Sequence, residues 1–156
     1  MNDEVKRFFD SINFIYNEDV FKNVSVTKVV LNKVHETFKV YLNSENVLPF
    51  DDVVKLYEAE KNGINGKSCK IYLEYSSYDD NDILNYVNIL LEKLIDKKPS
   101  LMGIKENEIN VLNKKIIVEV SSKIEQLELE EYTSDLLKKL EKYGFSKLNI
   151  EININE

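Results

Sequence analysis

Val5, Phe8, Phe9, Ile12 and Ile15 recur at helical spacing behind Asn2 and Asp3, either of which can cap the start. Residues 24–34 are β-rich, with Val24, Val26, Lys28, Val30, Asn32 and Val34 at alternate positions. Phe38, Val40 and Leu42 then alternate with Thr37, Lys39 and Tyr41, as in a half-buried strand, and Lys33 to Glu36 reads as the hairpin connection. Pro49 forbids a simple strand continuation, and Asp51 is the candidate N-cap of a helix over 51–61 that carries Val53, Val54, Leu56 and Tyr57. Asn62 to Gly66 breaks that helix, and Cys69, Ile71, Leu73 and Tyr75 alternate in the strand that follows over 68–75.

The second half repeats the order. Asp79 to Asp82 opens a helix with Ile83, Val87, Leu90, Leu91, Leu94 and Ile95 on one stripe, ended by Pro99. Glu108 to Val111 and Lys115 to Val120 predict a hairpin turned at Asn113-Lys114. A helix is expected over 129–143, with Leu129, Leu136, Leu137, Leu140 and Tyr143 inward and Gly144 as its C′ residue. Ile150, Ile152 and Ile154 alternate with polar neighbours in a last strand. The expected fold class is therefore α+β, as two consecutive small α-β-β-α-β two-layer units over 1–78 and 79–156, divided near Ser76 to Asp80. The repeat lies in the order of elements, not in residue identities.

Composition changes this picture little and charge changes it more. At 156 residues, with 43% apolar and 31% charged, the chain suffices for one ordinary domain or two small ones. Its 16 aromatic residues, nine Tyr and seven Phe, argue against disorder. Residues 1–20 are interrupted by charge, and no apolar run reaches the roughly 18–20 residues of a membrane span, so a soluble, cytoplasmic protein without membrane contact is expected. The net charge is −7, with 10 basic and 12 acidic residues up to Tyr78 and 11 and 16 beyond it. Neither half supplies by count the positive field that a phosphate backbone requires, and Arg7 is the only arginine.

Catalytic chemistry finds little footing. His35 is the single histidine and falls in a predicted turn; Cys69 is the single cysteine and opens an apolar strand. No imidazole cluster, cysteine cluster or disulfide is possible, and no cofactor or metal is implied. The pairs Asp51-Asp52, Asp79-Asp80 and Glu130-Glu131 sit at or near predicted helix starts, where negative side chains favour the helix dipole, and none forms a calcium loop. Gly63-Ile64-Asn65-Gly66 matches the GxxG of KH modules, but it joins a helix to a strand and reads as a turn. Tyr72, Tyr75, Tyr78 and Tyr86 are candidate stacking platforms for bases; alternation turns Tyr75 inward and Tyr72 outward.

Val47-Leu48-Pro49-Phe50 leading into a helix, Pro99-Ser100-Leu101 after a long one, the strand Lys114 to Val120, and Tyr143-Gly144-Phe145 before the last strand together resemble the N-terminal region of the PolC-type DNA polymerase III alpha subunit. This is the replicative polymerase of low-G+C Gram-positive bacteria, and the resemblance runs from the first helix to Ile154. It implies two small domains ahead of the catalytic part of a DNA-directed DNA polymerase with 3′-5′ exonuclease. The first would be like the polymerase-binding domain of the clamp-loader tau subunit and would contact tau; the second would be KH-like. No catalytic carboxylate of that family falls in this region, so the segment itself is expected not to be an enzyme. The second half departs from a KH module, since residues 121–131 contain no glycine.

Two readings follow. In the first, the chain is an adaptor that tethers the polymerase to tau through its first half, with Leu56, Tyr57 and Tyr72 as outward anchors. In the alternative, a KH-like second half grips single-stranded nucleic acid weakly through Lys138, Lys139 and Lys142, although a solvated face opposite Leu136, Leu137 and Leu140 accounts for these lysines.

Overall fold

A computed structural model describes residues 1–106 and 109–155. The chain divides into two compact units, Met1–Tyr78 and Asp79–Glu156. Each has a three-stranded sheet in which a hairpin pairs antiparallel and the third strand returns parallel to the hairpin's second strand. A parallel return needs a crossover, which is why a helical segment separates the hairpin from the last strand in both units.

In the first unit α1 (Asp3–Ser11) and a short α2 (Glu18–Phe21) precede β1 (Val24–Asn32) and β2 (Thr37–Ser44); α3 (Phe50–Glu60) crosses to β3 (Ser68–Tyr75). Asn2 caps α1, its side chain accepting from the Glu4 amide. The expected helical stripe reached Ile15, but α1 stops at Ser11, Asn13 has a positive φ of 55° and Ile15 is exposed. Phe9, Phe14, Tyr16 and Phe21 cluster there at centroid distances of 4.9–6.4 Å, mostly edge to face. The N-cap of α3 is Pro49, without a side-chain hydrogen bond, so Asp51 and Asp52 stand in the first turn, where they complement the dipole.

A bulge at Thr27 changes which residues of β1 face the helices. The register steps from Val26↔Leu42 to Lys28↔Tyr41, so the inward set is Val24, Val26, Val29 and Leu31. Unbroken alternation, as read from the sequence, would have sent Lys28 and Val30 inward instead. The Thr27 hydroxyl donates to the Tyr41 carbonyl at 3.2 Å across the irregularity.

In the second unit α4 (Asp80–Lys97) opens with a capping box between Asp79 and Asp82 and is followed by a 3-10 segment, Pro99–Glu106. The strands are β4 (Ile109–Leu112), β5 (Lys115–Val120) and β6 (Asn149–Ile154). Glu108, expected to open the hairpin, lies outside the described residues. The hairpin turns at Asn113-Lys114 with φ of 49° and 65°, the double left-handed geometry of a tight two-residue connection. The single helix expected over 129–143 is two: α5 (Lys123–Glu130) and α6 (Thr133–Lys142). Ser122 caps α5, its hydroxyl accepting from the Glu125 amide. Glu130 ends α5 and Glu131 is its C-cap, so this acidic pair closes one helix just ahead of the next.

Candidate interaction surfaces

Register fixes what each sheet shows to either side. In the first unit the inward grid comprises Val24, Val26, Val29 and Leu31 of β1, Phe38, Val40, Leu42 and Ser44 of β2, and Cys69, Ile71, Leu73 and Tyr75 of β3. Most of it is buried beneath the helices. The end of β1 is the exception: Val29 is 55% and Leu31 37% exposed, and Val34 in the adjoining turn 87%. Beside them a cleft of about 280 Å³ runs between α1 and the sheet, floored by Phe8, Val26, Phe38 and Val40, with Glu4 and Arg7 at its edge.

The opposite face of the same sheet has another character. Its rows read Val30–Lys39–Lys70 and Lys28–Tyr41–Tyr72, flanked by Asn32–Thr37–Ser68 at one end and Ser25–Asn43–Glu74 at the other. None of these twelve residues is buried. The Tyr41 and Tyr72 rings stack at 4.8 Å and 16°, and the Lys28 ammonium lies 5.6 Å from the Tyr41 ring centre.

The expected anchors separate by burial. Tyr72 is outward and 38% exposed. Leu56 and Tyr57 are not outward: they are 0% and 5% exposed, within the core stripe of α3. Phe50, Val53, Leu56 and Tyr57 are spaced at three, three and one, which closes a single helical face, so both residues must go in with the others. Lys138, Lys139 and Lys142 are exposed on α6, opposite buried Leu136 and Leu140; Lys139 and Lys142 occupy the last turn, where cations complement the helix dipole. Tyr75 is buried as alternation predicts, and Tyr86 is buried against Phe145 at 4.8 Å.

The other candidate groups take structural parts. His35 is exposed in the hairpin turn, its backbone amide donating to the Asn32 side chain. Burial, with the Glu60 carboxylate adding to it, pushes the Cys69 thiol up from its ordinary 9.0 to about 11, which makes it a poor nucleophile. Gly63 (φ 68°) and Gly66 (φ 79°) form a turn whose Ile64 and Lys67 amides bond each other's carbonyls at 2.9 Å, and a Cβ on Gly63 would lie 2.4 Å from the Lys67 carbonyl oxygen. Asp80 receives hydrogen bonds from the Asn113 and Lys114 amides at 3.0 and 3.2 Å, pinning the β4–β5 turn to α4. Among the described residues no group of three or more His, Cys, Asp and Glu side chains is placed to hold a metal ion, and no helix is long and apolar enough to cross a membrane.

A family model described as DNA polymerase III polC-type N-terminus I matches residues 4–71, from α1 to the middle of β3. Over that stretch, which lies within the first unit, the chain is similar to the polC-type polymerase N-terminus. The matched stretch holds Val29, Leu31 and the cleft beside them, and Lys28, Lys39, Tyr41 and Lys70 of the open face, but ends just before Tyr72; the description is of the polymerase's N-terminus, not of its catalytic part. No curated protein and no solved structure matches the chain.

Proposed function

We propose that the chain is a non-catalytic interaction module of a PolC-type replicative polymerase, whose first unit tethers the enzyme to the clamp-loader tau subunit in the cytoplasm. The observation that carries this reading is the uncovered end of the inward face. Val29 and Leu31 lie on the side of the sheet that otherwise forms core, yet they are half-exposed beside an apolar cleft. Apolar surface at such a place has more to gain from a partner than scattered surface residues do. Arg7 and Glu4 supply a polar rim of both signs. The likeness of this unit to the polymerase-binding domain of tau, and of the second to a KH module, belongs to the same proposal.

The second unit runs α-β-β-α-α-β, one helix more than the α-β-β-α-β order expected of it, and a KH module clamps the backbone of its nucleic acid at a GxxG between two helices. Here Glu131-Tyr132 forms that junction, with Glu128, Glu130 and Asp135 nearby in the chain. A carboxylate-rich junction repels phosphate, so a protein contact suits this unit better than nucleic acid.

The test is calorimetric titration of the whole chain with tau. Val29→Asp and Leu31→Asp are each expected to weaken binding at least about tenfold, because a charge must be desolvated in the interface, while Tm stays within a few degrees of the parent's. Absence of binding by the parent, or undiminished binding by both variants, overturns the proposal.

A further inference from the structure

We infer that the open face of the first sheet binds single-stranded nucleic acid, by extension of the Tyr41–Tyr72 stack and capture of the adjoining phosphates by Lys39 and Lys70. The proposal goes beyond the tether and is independent of it, since the cleft beside Val29 lies on the other side of the sheet. Three observations carry it.

The first is the stack itself. Two rings from neighbouring strands are held nearly parallel, face to face at 4.8 Å, with Lys28 over one end and Tyr72, on the edge strand β3, finishing the row at the sheet margin. A base added against Tyr72 continues a stack that is already ordered, and little side-chain entropy is lost on binding. The second is local charge. In a chain of net charge −7, this face holds Lys28, Lys39 and Lys70 against one carboxylate, Glu74, in the outermost row. The third is the relation between the two. Lys39 and Lys70 are register partners in the row next to the tyrosines, two residues along each strand, or about 7 Å. A nucleotide stacked on Tyr72 thereby has ammonium groups beside its backbone. Thr37 and Ser68, joined by a 2.7 Å hydroxyl hydrogen bond, continue the polar track beyond the lysines.

An acidic peptide would satisfy the lysines but has no use for an aromatic stack, so nucleic acid is the occupant these residues fit better. Total charge hides the site, because the field that matters belongs to one face and not to the whole chain.

The experiment is fluorescence anisotropy of a labelled oligothymidylate of about twelve nucleotides with the whole chain, from about 20 to about 200 mM salt. Binding at low salt is expected, with log K falling against log salt at a slope near −2 for three lysines. Tyr72→Ala and Tyr72→Leu should each weaken it about tenfold, the second variant keeping bulk while removing the π face. Lys39→Gln with Lys70→Gln should flatten the slope by about 1.4 units. The triple change Lys138→Gln, Lys139→Gln, Lys142→Gln should leave affinity unaltered. No binding at low salt, binding insensitive to Tyr72, loss in the α6 triple variant alone, or equal competition by polyglutamate each overturns the proposal.

Discussion

On the outward side of the first sheet stand Lys28, Lys39, Lys70, Tyr41 and Tyr72. The same side of the second carries Asn110, Asn149, Asn153, Glu119 and a Lys115–Glu151 ion pair at 3.1 Å. The connectivity is shared: an antiparallel hairpin, a helical crossover and a parallel third strand. Much of the inward sides is shared too, since Ile116, Val118 and Val120 occupy in β5 the places of Phe38, Val40 and Leu42 in β2. Apart from the bulged, uncovered end of β1, the difference lies in the outward residues, and it is one of chemistry. Lys115 spends its charge on Glu151, whose carboxyl is held below its ordinary value by hydrogen bonds from Lys115 and Asn153 and by the lysine's charge. The first sheet has three lysines to one carboxylate and an aromatic row; the second neutralises its lysine and shows no aromatic ring there. One topology thus serves two surfaces, because buried positions determine the pairing and leave the outward positions free to vary.

The strongest way to break the comparison is through the inward sides, where the units should respond alike. Leu56→Ala in α3 and Ile116→Ala in β5 each remove a fully buried side chain, and each is expected to cost about 2–5 kcal/mol in urea unfolding. A loss below about 1 kcal/mol for Leu56→Ala would return that residue to the surface. Next come the hairpins, where the units should respond differently. The first hairpin is held by its own strand: the Asn32 side chain accepts from the Val34 and His35 amides at 3.0 and 3.2 Å. The second is held from outside, by the Asp80 carboxylate. Charge-assisted hydrogen bonds are roughly twice as strong as neutral ones, so Asp80→Ala should cost about 1–3 kcal/mol and Asn32→Ala about 1 kcal/mol or less. Equal losses would remove the distinction.

Periodicity made most of this fold legible. Alternation located β2, β3, β5 and β6, and Asn113-Lys114 marked its turn. What it missed has physical causes. The 3-10 segment after Pro99 and the four-residue α2 are too short to show a period. The break at Glu131-Tyr132 carries neither Gly nor Pro, so nothing in composition interrupts the stripe from Leu129 to Leu140. The bulge at Thr27 is a matter of pairing, which one strand's sequence does not contain, and it moves Lys28 outward and Val29 inward. The outward aspect of Tyr72 was legible from alternation in β3, but its partner Tyr41 was not, since cross-strand neighbours depend on register. Leu56 and Tyr57 were misplaced although the stripe of α3 already held the answer.

The smallest expected effect concerns Cys69, the first inward residue of β3, whose counterpart in β6 is Ile150. If the inward sides are equivalent, the thiol is only a small apolar group there, and Cys69→Val should cost less than about 1.5 kcal/mol. The pH dependence checks the same point. The folded thiol titrates near 11 against an ordinary 9.0, with burial as the main cause and the Glu60 carboxylate, which also accepts the Ile71 amide at 2.7 Å, as the second. A folded pKa raised above the unfolded one means that folding binds the proton more tightly. The contribution is therefore complete below pH 9 and is lost as pH rises through the interval to 11. The parent should lose about 1 kcal/mol by pH 10 relative to Cys69→Val, and the difference between the two profiles cancels the titration of tyrosines and lysines. Alkylation of the folded parent at pH 8 should likewise be far slower than in urea. Superimposable stability profiles with rapid alkylation would place the thiol at the surface and end its equivalence with Ile150.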